Sequence, residues 1–186
     1  MKLKKKNAAG AIVLAAAIVL AVPLGVHTSL TELREEAENT YYYDNTGYAV
    51  YEGLEERQAT ANNLITVAER YTSENPALTG LIGDLEYTVR LAQNSYGDFA
   101  GEAQANQMMT GAAQALYDGL KNTQLSEEDE KYPDQLLAQM KSEQDKINRS
   151  SYNDEAREFN ARLGKFPVNL LLPVVGVEPL ATYDQE

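Results

Sequence analysis

Cysteine and tryptophan are both absent from the 186 residues, and histidine occurs once, at position 27. Without cysteine there is no disulfide framework, no thiol chemistry and no lipid attachment through sulfur. The lone histidine sits at the end of a long uncharged run, expected at a membrane edge, which argues against a Ser-His-Asp triad, and its being alone excludes multi-histidine metal sites and the paired Glu-x-x-His pattern of di-iron helical bundles. A glycine-rich phosphate loop, a Gly-x-Ser-x-Gly elbow and a basic patch interleaved with aromatics are missing as well. Positive charge is scarce: 16 Lys and Arg stand against 28 Asp and Glu, for a formal net charge of -12. Lys2, Lys4, Lys5 and Lys6 are the only charges in the first 26 residues, so the rest of the chain carries the larger acidic excess. Such a surface repels nucleic acid and anionic lipid, so no nucleic-acid partner is expected.

What the chain does have, first, is an uncharged run over residues 8–26 directly after the lysines. As a helix it is about 28 Å long, close to the ~30 Å hydrocarbon core of a bilayer. The run exceeds a signal-peptide core and lacks an A-x-A-like cleavage site behind it, so a retained transmembrane helix is expected rather than a cleaved leader. Pro23 falls in its last turn, where a kink is tolerated. The lysines on one side and the mixed charges Glu32, Arg34, Glu35 and Glu36 on the other place the N-terminus in the cytoplasm and the bulk of the chain outside it. The expected location is therefore the cell membrane, as a single-pass protein. Ala11 with Ala15 and Ala17 with Ala21 fit a small-residue dimer seam in that helix, and alanine is equally ordinary filler there.

Beyond the run the apolar spacing is helical almost throughout. Leu30, Leu33 and Ala37 extend the first helix to about residue 43, and Asp44-Asn45-Thr46-Gly47 breaks it. Leu54, Ala61, Leu64, Ile65, Ala68 and Tyr71 mark a second helix ending before Pro76, and Leu78, Leu81, Ile82, Leu85, Val89, Ala92 and Tyr96 a third. An alanine-rich fourth, over about 102–121, presents Ala105, Met108, Ala112, Ala115, Leu116 and Leu120, with Gly111 and Gly119 weakening it by about 1 kcal/mol each. Leu136, Met140, Ile147, Ala156, Phe159 and Leu163 then predict one long helix over 134–165. Pro167, Pro173 and Pro179 interrupt the apolar end of the chain, which is expected to be irregular. The fold class is all-α: a transmembrane helix, then an elongated antiparallel up-and-down bundle of three to four helices with an irregular tail. The expected organisation is a basic segment at 1–7, the membrane helix at 8–26, the bundle at 29–165 and the tail at 166–186, packed on the bundle or docking.

The segment Tyr132-Pro133, the stretch from Tyr152-Asn153-Asp154 through Arg157, Phe159-Asn160 to Phe166-Pro167-Val168-Asn169-Leu170, and Val174-Val175-Gly176-Val177-Glu178-Pro179 with Tyr183 together resemble the C-terminal signature of the LemA family. Arg57, Asn63-Leu64, Val67 and Tyr71 are more loosely similar to an upstream helix of that family. The resemblance implies a bacterial, membrane-anchored helical bundle whose molecular function is unsettled. It departs from the family pattern at the tyrosine-rich residues 41–51 and at Val177 and Asp184, where the family favours phenylalanine. The motif residues also have a direct physical reading. Tyr152 and Phe159, and Asn153 and Asn160, are seven apart and share a helix face. Core packing with amide hydrogen bonds to an overlying tail accounts for them, and a ligand or partner groove lined by the same residues is the other reading.

Two surfaces are candidate partner sites. Tyr41, Tyr42, Tyr43, Tyr48 and Tyr51 cluster within a few residues, and tyrosine gives contact area at low entropic cost. The string Leu170, Leu171, Leu172, Val174 and Val175 is the apolar alternative. Carboxylate pairs such as Asp154 with Glu158 or Glu155 with Glu158 share a helix face with interleaved arginines, which explains them as charge pairing rather than acid–base chemistry. The acidic run at 127–130 lacks the order of a calcium loop. No catalytic, metal-ligating or cofactor-binding residue is nominated. The functional expectation is a non-enzymatic scaffold of the bacterial cell envelope that engages a protein partner or associates with itself. The alternative is a module that binds, presents or transports a peptide or small ligand in an inter-helix groove.

Overall fold

The computed structural model of the chain describes residues 2–45 and 47–185, the side chains of residues 2–13, 15, 16 and 18 excepted. Lys2, Lys4, Lys5, Lys6, the pair Ala11 and Ala15, and Thr46 of the expected turn therefore lie outside the described side chains. Seven helices and no strand occur among the described residues: α1 (Lys2–Tyr42), α2 (Val50–Glu69), α3 (Leu78–Asn94), α4 (Phe99–Lys121), α5 (Tyr132–Asn148), α6 (Ser151–Leu163) and α7 (Val168–Val175). Each boundary has a local cause. Asp98 caps α4 by accepting from the Gly101 amide, just after Gly97 turns the chain at φ 83°. Pro133 sits in the first turn of α5, where its missing N–H costs nothing.

Helices α2 to α5 pack around one apolar cluster that includes Leu64, Leu78, Leu85, Met109 and Leu116. A second cluster joins α1, α6, α7 and the extended tail to Val50, Leu54 and Ile147 at the near ends of α2 and α5. Within it α6 lies along α1, with Thr40 donating to Glu155 at one end and Leu30 and Leu163 buried together toward the other. After α7 the chain returns along α6: Arg34 Nη1 donates to the Glu178 carbonyl, and the Asn160 amide meets Leu180.

The expected membrane anchor is corrected. No helix among the described residues is long and apolar enough to cross a membrane. The transmembrane helix at 8–26, the single-pass membrane location and the orientation argued from it are overturned together. Helix α1 runs on to Tyr42, as Leu30, Leu33 and Ala37 led one to expect, and its later half is spent in the second cluster. The uncharged run ends at Val26. His27, at its end, donates from Nδ1 to the Val175 carbonyl at 2.8 Å and so ties α1 to α7.

Three smaller expectations also change. The long helix at 134–165 is two, because the chain breaks at Arg149-Ser150 and restarts under a double cap. The Ser150 hydroxyl accepts from the Tyr152 amide, while Asp44, from the turn after α1, accepts the Ser151 amide at 3.0 Å and its hydroxyl at 2.8 Å. The tail is not wholly irregular, since α7 includes Pro173; the proline falls in the last turns, and Gly176 closes the helix at φ 65°. The buried face of α4 is partly turned from the one expected: Ala105, Leu116 and Leu120 are in the core as expected, but Met109 and Ala113 are buried in place of Met108, Ala112 and Ala115.

Candidate ligand pocket

Turning α4 brings two polar residues inward, Glu102 and Asn106, on the same face as Met109. Glu102 is buried, and its carboxylate is held from three sides. One oxygen accepts from the Tyr41 hydroxyl at 2.5 Å and the Tyr183 hydroxyl at 3.1 Å, and the other accepts from the Gly97 amide at 3.1 Å. Charge-assisted bonds of this kind offset the desolvation of a buried carboxylate. Burial, then the Glu102 carboxylate beside it, holds the Tyr41 phenol far above its ordinary value, and burial does the same to Tyr183.

Around this carboxylate the aromatic rings interlock. Tyr41 meets Tyr42 and Phe99 edge-on at 4.7 and 4.8 Å, and Tyr152 and Tyr183 at 5.7 and 5.5 Å. Tyr51 and Tyr96 extend the cluster outward, 6.2 Å apart. Between Tyr41, Tyr51, Tyr96, Glu55, Glu102 and Asn106, floored by Leu54, Ala92 and Met109, lies a cavity of about 210 Å³. The Tyr51 hydroxyl donates to Glu55 at 2.7 Å, and that bond pushes its phenol up to about 12.

Tyr41 is thus a core residue at 1% exposure and presents no surface to a partner. Tyr42, Tyr48 and Tyr51 are half-buried, Tyr48 under the Lys146 ammonium at 4.7 Å, and Tyr43 alone of the five is fully exposed. Burial and the Glu143 carboxylate push the Tyr48 phenol up to about 12. Phe99, Glu55, Glu102 and Asn106 were not singled out by sequence reasoning, and Tyr96, expected on the apolar face of the third helix, lies beyond its end and is exposed. The signal that marks them is a pair of polar residues at i, i+4 on the apolar stripe of α4, opposite a tyrosine-rich turn.

The motif residues of α6 do a different task. Asn160 clamps Leu180 through both its backbone N–H and C=O at 2.8 Å, and Asn148 clamps Gln185 in the same way at 3.0 Å. Between them Asn153 accepts the Tyr183 amide and Gln144 donates to the Tyr183 carbonyl, each at 2.8 Å, while the Tyr152 hydroxyl reaches the Ala181 carbonyl. Arg157 joins Asp154 to Asp184, and Phe159 is buried beneath. The tail is therefore a strap whose backbone groups are satisfied by side-chain amides, and it delivers the Tyr183 hydroxyl to Glu102. Phe166, Pro167, Asn169 and Leu170 lie on the surface at the start of α7; Leu171 and Leu172 are half-buried, Val174 is exposed and Val175 is buried.

Among the described residues no group of three or more His, Asp or Glu side chains converges as a metal site. Asp154 and Glu158 are each engaged by an arginine, and Glu155 accepts from Thr40. No family model, no curated protein and no solved structure matches this chain, so the LemA resemblance rests on the quoted residues alone.

Proposed function

We propose that the protein is a non-enzymatic binding module that holds a small ligand in the cavity between α2, α3 and α4. The observation that carries this reading is a buried acceptor without a donor on Asn106, a residue of the cavity wall. Asn106 is almost fully buried and donates from Nδ2 to Gln144 Oε1 at 3.0 Å, yet its Oδ1 has no hydrogen-bond partner. The amide orientation follows from the network: Gln144 Nε2 is committed to Asn148 and the Tyr183 carbonyl, so its Oε1, which also accepts from Arg57, faces Asn106, and the flipped amide would set two acceptors against each other. A buried acceptor without a donor is costly, and functional sites are where such groups persist. The LemA resemblance accords with a helical bundle of this kind and adds no chemistry to it.

The test is native mass spectrometry of the protein purified from its own cells. A retained small molecule that is lost in Tyr96→Ala supports the reading, and an identical bare mass for both variants overturns it. A second reading, a scaffold that docks a partner protein through α7, is favoured by Phe166 just ahead of that helix and Leu170 and Val174 on it, which stand 79, 68 and 71% exposed. Crosslinking in intact cells tests it: a protein partner lost in Leu170→Glu supports docking, and an unchanged crosslink pattern refutes it.

A further inference from the structure

Resting on the pocket reading above, we infer that the ligand is a small organic cation bearing at least one N–H, of the alkylammonium class. The charged groups of the cavity are both carboxylates, and the Gln58 and Gln93 amides on its wall can either donate or accept. Glu102 and Glu55 supply carboxylates, and Asn106 supplies the buried Oδ1 that lacks a donor. Tyr41 and Tyr51 have already spent their hydroxyl protons on those two glutamates. No lysine or arginine lines the cavity. Arg57, the one buried cation among the described residues, bonds Gln144 and Thr110 and lines the neighbouring cavity instead.

The walls fit the same chemistry. Tyr41, Tyr51 and Tyr96 surround the space, and the face of a phenol ring attracts a cation within about 6 Å of its centroid. An anion would meet two carboxylates here, and a neutral apolar molecule would leave Asn106 Oδ1 without a donor. The volume, about 210 Å³, lies below the roughly 300–1,000 Å³ of drug-sized pockets, which limits the ligand to a few heavy atoms. The acidic character of the whole chain, at -12, raises the local concentration of cations.

Amide chemical-shift titration of the full chain with n-butylammonium, 1-butanol and butyrate tests the assignment, since the three share a carbon chain and differ in charge. The expected result is saturable shifts at Tyr51, Tyr96 and Asn106 for n-butylammonium, with the alcohol and the acid weaker by about tenfold or more. Glu55→Gln and Tyr96→Ala lie at the open rim, where folding does not depend on them. Each is expected to weaken n-butylammonium by about threefold to tenfold, the range of one exposed to partly desolvated cation–π or ionic contact. If 1-butanol or butyrate binds the same residues as tightly as n-butylammonium, the cation class is overturned while the pocket stands. If none of the three moves those residues, class and pocket fail together.

Discussion

Asn153→Ala removes the middle of the amide ladder that straps the tail to α6. Asn153 is fully buried, donates to the Ile147 carbonyl at 2.7 Å and accepts the Tyr183 amide at 2.8 Å. The Tyr183 amide is then stranded, whereas the Ile147 carbonyl still accepts from the Ser150 amide, and one stranded buried group costs about 1–3 kcal/mol. A loss of about 2 kcal/mol is a sizeable share of a domain stability of roughly 5–15 kcal/mol. For a chain of this size it lowers Tm by about 4–8 °C. Urea unfolding measures the loss, and hydrogen exchange over residues 180–185 shows whether the strap opens before the bundle. The expected outcome is both: a lower midpoint at unchanged m-value, and faster exchange at Leu180 and Tyr183 than in α3. A loss under about 1 kcal/mol with those amides still protected would refute the role given to the motif asparagines.

Alkaline pH is expected to unfold the protein through its buried phenols. Tyr41, Tyr152 and Tyr183 are each raised by burial above the unfolded value of 10.0, so their contribution is complete below about pH 10 and is lost as pH rises beyond it. Each costs at most about 1.4 kcal/mol per pH unit, readable as a falling urea midpoint; a midpoint flat to about pH 11 contradicts their burial. Gly111→Ala, with open space around its Cβ, is expected to stabilise α4 by about 1 kcal/mol. Gly53→Ala should cost about 1–3 kcal/mol, because its Cβ would stand 2.6 Å from Ile147 Cγ1; equal thermal shifts for the two glycine variants would refute that packing. Leu170→Glu is expected to leave the melting temperature within about a degree of wild type, since the side chain is two-thirds exposed.

The helical class and the positions of α2, α3 and most of α4 were legible because their apolar steps of three and four are long and uninterrupted. The amide contacts from α6 to the tail were legible too, as the spacing of Asn153 and Asn160 puts both on the face of Tyr152 and Phe159. What could not be read is set by contacts distant in sequence. The break before α6 depends on Asp44, more than a hundred residues away, capping Ser151. The tyrosines near position 41 read as surface because tyrosine alone does not declare a partner, and only the turned α4 brings Glu102 to Tyr41. The uncharged run at 8–26 was read from its length, its flanking lysines and the missing cleavage site, none of which reports how the later half of α1 packs into the second cluster. Pro173 was taken as a helix breaker, but near a helix end one lost hydrogen bond is tolerated.

Calorimetric titration of n-butylammonium into the wild-type chain and into Tyr96→Ala bears most directly on the pocket. Binding at one site per chain, with a dissociation constant that rises severalfold when the ring is removed, is the result expected from an acceptor-lined aromatic cavity. Heats that never saturate, or that are the same in both proteins, would contradict it.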